Sequence, residues 1–310
     1  MVIDENKKIM RIQFPPYLTE GDKVAIISPA SKIDKMLLKG AIERLSSWGL
    51  RPYMEKHADG AKGYYSGSIK ERTNDLQHAM DDKDVRAILC SRGGYGAVHL
   101  IDRLSFDKFK TSPKWLIGFS DITALHCLMQ YNGIASLHAP MAKHLTTESK
   151  DDLCSNYLKD ILMGKVPSYT IESHSLNQQG TAKGILRGGN MSVFDGLRGT
   201  PYDIPAEGTI LFIEDIGERP HAIERIMYEL KLGGFLSKLS GLIIGQFTEY
   251  DMQNELGKSL YEAISDLVKE YNYPVCFNFP VGHVTDNRPM IEGAEVELIV
   301  NKKGTELKFN

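Results

Sequence analysis

Ser120 stands where two patterns meet. Trp115–Phe119 is an apolar run with the character of a strand, and Ile122–Tyr131 carries a helical apolar stripe. A serine on a sharp strand-to-helix turn exposes its hydroxyl, and the amide of the next residue, Asp121, lies at the positive end of the helix. Such an amide can donate to a developing oxyanion. The full G-x-S-x-G pattern is absent because position 122 is Ile, and capping of the helix by Ser120 or Asp121 is the competing reading. A second candidate is the turn Arg92-Gly-Gly-Tyr-Gly after the apolar run Val85–Ser91. Glycine lets a backbone amide approach a carbonyl with no Cβ in the way, so Gly93 or Gly94 is a candidate second donor. The turn is neither G-x-G-x-x-G nor a P-loop with its lysine, which argues against nucleotide phosphates.

A serine hydroxyl needs a general base near neutral pH. His57, His78, His99, His174 and His221 lie in polar surroundings, and His126 is six residues past Ser120 on another helix face. His138 and His283 each end an apolar, strand-like run, where a fold places reactive side chains; spacing does not choose between them. The group that orients the imidazole would be a carboxylate. Thr209–Ile213 runs straight into Glu214-Asp215, although capping of the helix near Arg219–Pro220 is an alternative role, one that Glu218 fills equally well.

The elements that must hold these residues alternate in the first half. Strands are predicted at Lys23–Ser28, Arg51–Glu55, Val85–Ser91 and Trp115–Phe119, with helices at Lys35–Trp48, Thr73–Met80 and Ile122–Tyr131. Repeated β-then-α units imply an open, mostly parallel sheet with flanking helices. Residues 146–183 are polar and read as an interdomain crossover. Beyond them, strands at Thr209–Ile213, Leu242–Phe247 and Glu295–Ile299 and helices at Ala222–Leu232 and Leu260–Glu270 suggest a smaller mixed α/β or barrel-like domain. The expected division is 1–150, a crossover at 151–183, and 184–310.

Composition narrows the function. The chain has 310 residues, enough for about two domains. Hydrophobic residues make up 42% and charged residues 25%, and the net charge is −3, so no basic excess points to nucleic acid or an anionic membrane. Cys90, Cys127, Cys154 and Cys276 show no CxxC spacing, which predicts reduced, buried thiols and no structural zinc. No apolar run approaches the roughly 18–20 residues of a membrane span. Residues 1–14 contain no continuous apolar core, so no secretory signal is expected and the predicted location is the cytoplasm.

Seven segments in register resemble the LD-carboxypeptidase family of serine peptidases, with its murein-recycling and microcin-immunity-like branches. They are Gly21-Asp-Lys-Val-Ala-Ile-Ile-Ser-Pro-Ala-Ser, Arg92-Gly-Gly-Tyr-Gly, Ile117-Gly-Phe-Ser-Asp, His138-Ala-Pro-Met, Gly188-Gly-Asn, Leu211-Phe-Ile-Glu-Asp-Ile-Gly-Glu and Pro280-Val-Gly-His. The resemblance implies Ser120 as nucleophile, His283 as base, and Glu214 as the carboxylate that orients it. It also implies oxyanion donors from Gly93 or Gly94 and from Asp121, no metal or cofactor, and a homodimer. The implied substrate is a murein tetrapeptide that loses its terminal D-alanine. Candidate substrate contacts are Arg92, Tyr95, Arg187 and Asn190, with Arg92 and Arg187 as carboxylate anchors. Two departures stand out. Ala139 follows His138 where the family usually has glycine, and the polar crossover lacks the tryptophan of the microcin-immunity branch, since the only tryptophans are Trp48 and Trp115. Alternative readings are a microcin-immunity-like hydrolase of aminoacyl nucleotides, with Tyr64, Tyr65 and Tyr95 as stacking groups, and a muropeptide-binding protein without catalysis.

Overall fold

Apolar runs that end in glycine or serine become buried strands in the computed structural model, which describes residues 12–250 and 255–310. Most of the segment behind the expectation of no secretory signal, Met1–Arg11, lies outside the described residues. The first sheet contains β1 (Lys23–Ile27), β2 (Arg51–Met54), β3 (Val85–Cys90), β4 (Trp115–Gly118) and β5 (Ser136–His138), all parallel, in the order β2-β1-β3-β4-β5. β1, β3 and β4 are buried almost along their whole length, as parallel strands covered on both faces are, whereas β2 at the edge keeps Arg51 and Met54 exposed. Ile26 and Ile27 are at most 1% exposed, each contributing up to about 1.5–3 kcal/mol of burial. The order reverses between β1 and β3, the place in an open α/β sheet where loops part and a ligand can enter.

The second sheet has seven strands: β6 (Ser168–Glu172), β7 (Gly180–Asn190), β8 (Thr209–Ile216), β9 (Gly241–Thr248), β10 (Val275–Cys276), β12 (Glu295–Asn301) and β13 (Gly304–Phe309). Its order is β10-β9-β8-β7-β12-β13-β6, with β10 to β7 parallel and β7 to β6 antiparallel. It is thus a mixed sheet rather than a barrel. The polar stretch 146–183 is more ordered than its composition suggests. Asp152 caps a helix at Leu153–Leu162 that buries Leu158, Ile161 and Leu162, and β6 follows. The helix predicted from Thr73 begins at Ile69, because Ser68 and Glu71 form a reciprocal capping box. All four cysteines are free and buried. Among the described residues no helix is long and apolar enough to cross a membrane.

One strand joins the halves. β11 (Met290–Glu292) comes from the C-terminal half but pairs antiparallel with β5 at the edge of the first sheet. Its Glu292 is fully buried; Oε2 accepts from Gln130 Nε2 at 2.6 Å, and Oε1 lies 3.8 Å from His126 Nδ1. Burial pushes the Glu292 carboxyl well above its usual range, and burial likewise holds His126 down at about 4. A carboxyl raised in this way stabilises the fold below its unfolded value of about 4.3, and that stabilisation is lost as pH rises through the folded value. Glu292→Gln keeps the acceptor for Gln130 and cannot ionise. Thermal melts should therefore show the variant gaining on the wild type between pH 5 and pH 8.5. A difference that stays constant across that range would contradict a neutral Glu292.

Candidate active site

β4 delivers Ser120 to the carboxyl edge of the first sheet. Gly118 allows the tight turn, since a Cβ there would stand 3.0–3.1 Å from the Ile122 side chain and Cys90 Cβ. Ser120 itself has φ 65°, a left-handed conformation that costs a non-glycine residue about 1–2 kcal/mol. A 3₁₀ turn, Ser120–Ile122, then leads into the helix Thr123–Tyr131. Backbone strain at a half-buried serine between strand and helix resembles a nucleophile elbow, reached here without the second glycine of the motif.

The turn after β3 comes up against this serine. A Cβ on Gly93 would stand 2.9 Å from Ser120 Cβ, 3.1 Å from its Oγ and 3.2 Å from the Asp121 amide nitrogen. That space is bounded by a hydroxyl and an amide. Gly94, at φ 102°, instead backs onto Ser31, whose hydroxyl a side chain there would strike. Gly93→Ala would fill this space and press its methyl on Ser120 Cβ at 2.9 Å, so Ser120 or the turn must shift. We expect it to lower kcat by about 10²-fold or more, with some loss of thermal stability; steady-state kinetics alongside a melt would check this, and unaltered turnover in the folded variant would show the space to be unused.

Glu214 and His283 meet. His283 Nδ1 donates to Glu214 Oε2 at 2.8 Å. Glu214 is completely buried near the end of β8, and burial raises its carboxyl above the usual range against the opposing pull of His283. The β8–β9 pairing shifts register between Ile213 and Asp215, an irregularity of the kind that re-aims side chains beside active sites. Gly282, at φ 125°, brings the His283 segment in; a Cβ there would be 2.8 Å from Glu214 Oε2. Phe119, immediately before Ser120, packs on the His283 ring with centroids 4.9 Å apart.

Burial separates the two candidate histidines. The His283 side chain is 16% exposed, whereas His138 is fully buried between Phe119 and Phe212, and neither of its ring nitrogens is hydrogen-bonded among the described residues. His126 is also interior, bonded to Ser136 Oγ and the Gly118 carbonyl. Asp215 accepts from Asn190 Nδ2 and the amides of Ser192 and Ile216, so it holds the end of β8 together.

The remaining candidates scatter. Arg187 is half-buried with Nη1 on Thr209 Oγ1, and desolvation lowers its pKa to about 10. Asn190 sits beside Glu214 in the β7–β8 register, but its side chain bonds Asp215 and caps the helix Met191–Asp195. Arg92 is exposed and donates to the Lys32 carbonyl, while Tyr95 is half-exposed among Tyr65 and His99. Two positioning residues escape sequence reasoning. Phe119 touches His283, and Thr123 Oγ1 accepts the Asn190 amide at 3.0 Å, fixing the helix behind Ser120 to the end of β7. Nothing in their local spacing marks either. Among the described residues no group of three His, Cys, Asp or Glu side chains could hold a metal ion.

A strained serine on a strand–helix turn, preceded by a phenylalanine that packs on a histidine paired with a buried carboxyl group, on an α/β frame, is the equipment of a hydrolase. The family model described as the LD-carboxypeptidase N-terminal domain matches residues 24–139, and the one described as the LD-carboxypeptidase C-terminal domain matches residues 183–298. The chain belongs to the LD-carboxypeptidase family of serine peptidases. It is similar to a probable murein peptide carboxypeptidase of Bacillus subtilis strain 168, with 32% identity covering 93% of this chain and 92% of the relative. A murein tetrapeptide carboxypeptidase of Pseudomonas aeruginosa is 28% identical, over 90% of this chain and 94% of its own. Among solved structures, the muramoyltetrapeptide carboxypeptidase from Oxalobacter formigenes superposes with a TM-score of 0.84 at 27% identity, covering 93% of this chain and 98% of that one. The microcin C7 self immunity protein MccF, solved in complex with aspartyl sulfamoyl adenosine, has the same fold, with a TM-score of 0.85 at 22% identity, 95% of this chain and 98% of the other.

Proposed function

We propose that this chain is a serine carboxypeptidase that removes the terminal D-alanine from murein tetrapeptides, cutting the bond from the preceding L-centre. The reading is carried by the His283–Glu214 hydrogen bond of 2.8 Å, with Phe119, the residue before the left-handed Ser120, packed on the His283 ring, and the names of the relatives supply the substrate class. Ser120 Oγ attacks the carbonyl carbon of the L-centre, and His283 Nε2 takes the hydroxyl proton while Nδ1 stays on Glu214. The carbonyl oxygen becomes an oxyanion held by the amides of Asp121 and of Gly93 or Gly94. His283 returns the proton to the departing D-alanine nitrogen as the C–N bond breaks. Water, deprotonated by the same imidazole, then releases the acyl group from Ser120. Under this reading the N-terminal unit, 1–150, carries the nucleophile and the C-terminal unit, 184–310, joined through 151–183, carries the base and its carboxylate. We assign the enzyme, as a homodimer without a cofactor, to peptidoglycan recycling in the cytoplasm.

The D-alanine carboxylate calls for a cation or several donors. Arg92 is the better anchor of the two arginines, because it stands at the rim of the catalytic turn while Arg187 is committed to Thr209 inside the sheet. A second reading draws on the exposed aromatics. Tyr64 and Tyr95, 53% and 51% exposed beside the same turn, offer faces to a nucleobase. Incubating the protein with a murein tetrapeptide and, separately, with an aminoacyl nucleotide, and following both products by mass spectrometry, tests the two. Free D-alanine supports the carboxypeptidase. Hydrolysis of the nucleotide conjugate alone transfers the site to the second reading, and tetrapeptide binding without either product leaves a muropeptide-binding protein.

A further inference from the structure

Arg72 has an unusual place for a helix arginine. It is 2% exposed, and burial lowers its pKa. A buried guanidinium is costly unless its donors are met. Here Nη1 donates to the Pro29 carbonyl at 2.6 Å and the Gly96 carbonyl at 2.8 Å, Nε donates to Gly67 at 3.2 Å, and Nη2 lies 3.1 Å from His99 Nδ1. One planar fork thus gathers the loop after β1, the loop before its own helix, and the far end of the turn that carries Gly93.

The peptide unit between Gly96 and Ala97 is held at both poles. Its carbonyl accepts from Arg72, and its N–H donates to Asp121 Oδ2 at 2.8 Å. Asp121 is the residue after Ser120 and is itself buried. A cation on the oxygen and an anion on the nitrogen favour one orientation of that peptide dipole over any other. The turn needs such a constraint, since Gly94 and Gly96 sit at φ 102° and 122°, where glycine leaves the backbone free. Gly96 cannot be replaced cheaply either, because a Cβ there would stand 2.9 Å from Arg72 Nη1.

We propose that Arg72 is a positioning residue of the oxyanion site: with the Asp121 carboxylate it clamps the Gly96–Ala97 peptide and so fixes Gly93 against Ser120. This rests on the reading of Ser120 as nucleophile. Lysine cannot replace the fork, because a single ammonium does not reach the Pro29, Gly67 and Gly96 carbonyls in one plane. The clamp acts on the transition state, where the oxyanion forms, and leaves substrate affinity and the base alone.

The test uses full-length Arg72→Met and Arg72→Lys beside the wild type and Ser120→Ala. One readout is turnover of the tetrapeptide. A second, independent of peptide substrate, is the rate at which a fluorophosphonate labels Ser120, a reaction that also places negative oxygen in the oxyanion site. Turnover and labelling should both fall by about 10²-fold in Arg72→Met and by at least about tenfold in Arg72→Lys, with KM within about threefold of the wild type and the acid limb of the pH profile unmoved. Circular dichroism and a melt identify folded protein. Should Arg72→Met not fold, Arg72→Lys, which keeps the charge, decides. Wild-type labelling rates in a folded Arg72 variant, or a rise in KM with kcat intact, overturn the clamp. Labelling or turnover that persists in Ser120→Ala overturns the reading of the site instead.

Discussion

Ser120→Ala is expected to abolish D-alanine release from a murein tetrapeptide, with turnover falling by about 10⁴–10⁶-fold, the scale on which removing a serine nucleophile acts. The same variant should keep the wild-type melting temperature, because alanine carries the same Cβ at φ 65° and inherits the same strain. Ser120→Gly separates the two properties. It is equally inactive, yet relief of about 1–2 kcal/mol of left-handed strain exceeds the roughly 0.5–1 kcal/mol of extra chain entropy that glycine loses on folding. Urea melts should thus find Ser120→Gly about 0.5–1 kcal/mol more stable than Ser120→Ala. Turnover by rigorously purified Ser120→Ala would end the nucleophile assignment. A Ser120→Gly less stable than Ser120→Ala would show that the elbow is not strained.

Much of this site is legible in the sequence because it lies at strand ends. β1, β3 and β4 are buried on both faces and therefore read as apolar runs, and the residues that follow them supply Ser31, Gly93 and Ser120. Glu214, near the end of β8, is legible for the same reason. Position at a strand end does not choose between His138 and His283, since both end apolar runs; only the family resemblance favours His283, and the packing of β5 beneath Phe119 buries His138 and leaves His283 more open. β11 is invisible as well. It is three residues long, and its partner β5 lies some 150 positions earlier, so no local period announces the pairing. Arg72 lies just before the helix predicted from Thr73 and nothing local marks it; its role emerges only where the loops from β1 and β3 fold over it. The helix Leu153–Leu162 could be read from Asp152 and the spacing of Leu158, Ile161 and Leu162, but the polar residues on either side mask it.

Glu214→Gln tests the base from the other side. Glutamine has the size of glutamate and offers His283 an acceptor, so the fold and the ring position survive. It also offers a donor, which holds the imidazole in the wrong tautomer, and it lacks the charge that steadies the imidazolium formed during attack. We expect kcat to fall by about 10³–10⁴-fold with KM little changed, because both losses act only once the proton has moved. Stability moves the opposite way. Burial raises the Glu214 carboxyl, so its contribution to stability is complete below the unfolded value of about 4.3 and is lost as pH rises through the folded value. Under the proposed mechanism the wild type holds this destabilised carboxylate for its chemistry, and Glu214→Gln does not. The variant should melt at the wild-type temperature near pH 5 and above it near pH 8. A variant that is inactive yet at least as stable as the wild type assigns the charge of Glu214 to catalysis, because the hydrogen bond that braces the loop of His283 survives in glutamine while the charge does not. Full activity in a folded Glu214→Gln would leave the 2.8 Å bond as bracing alone and return the choice of base to experiment.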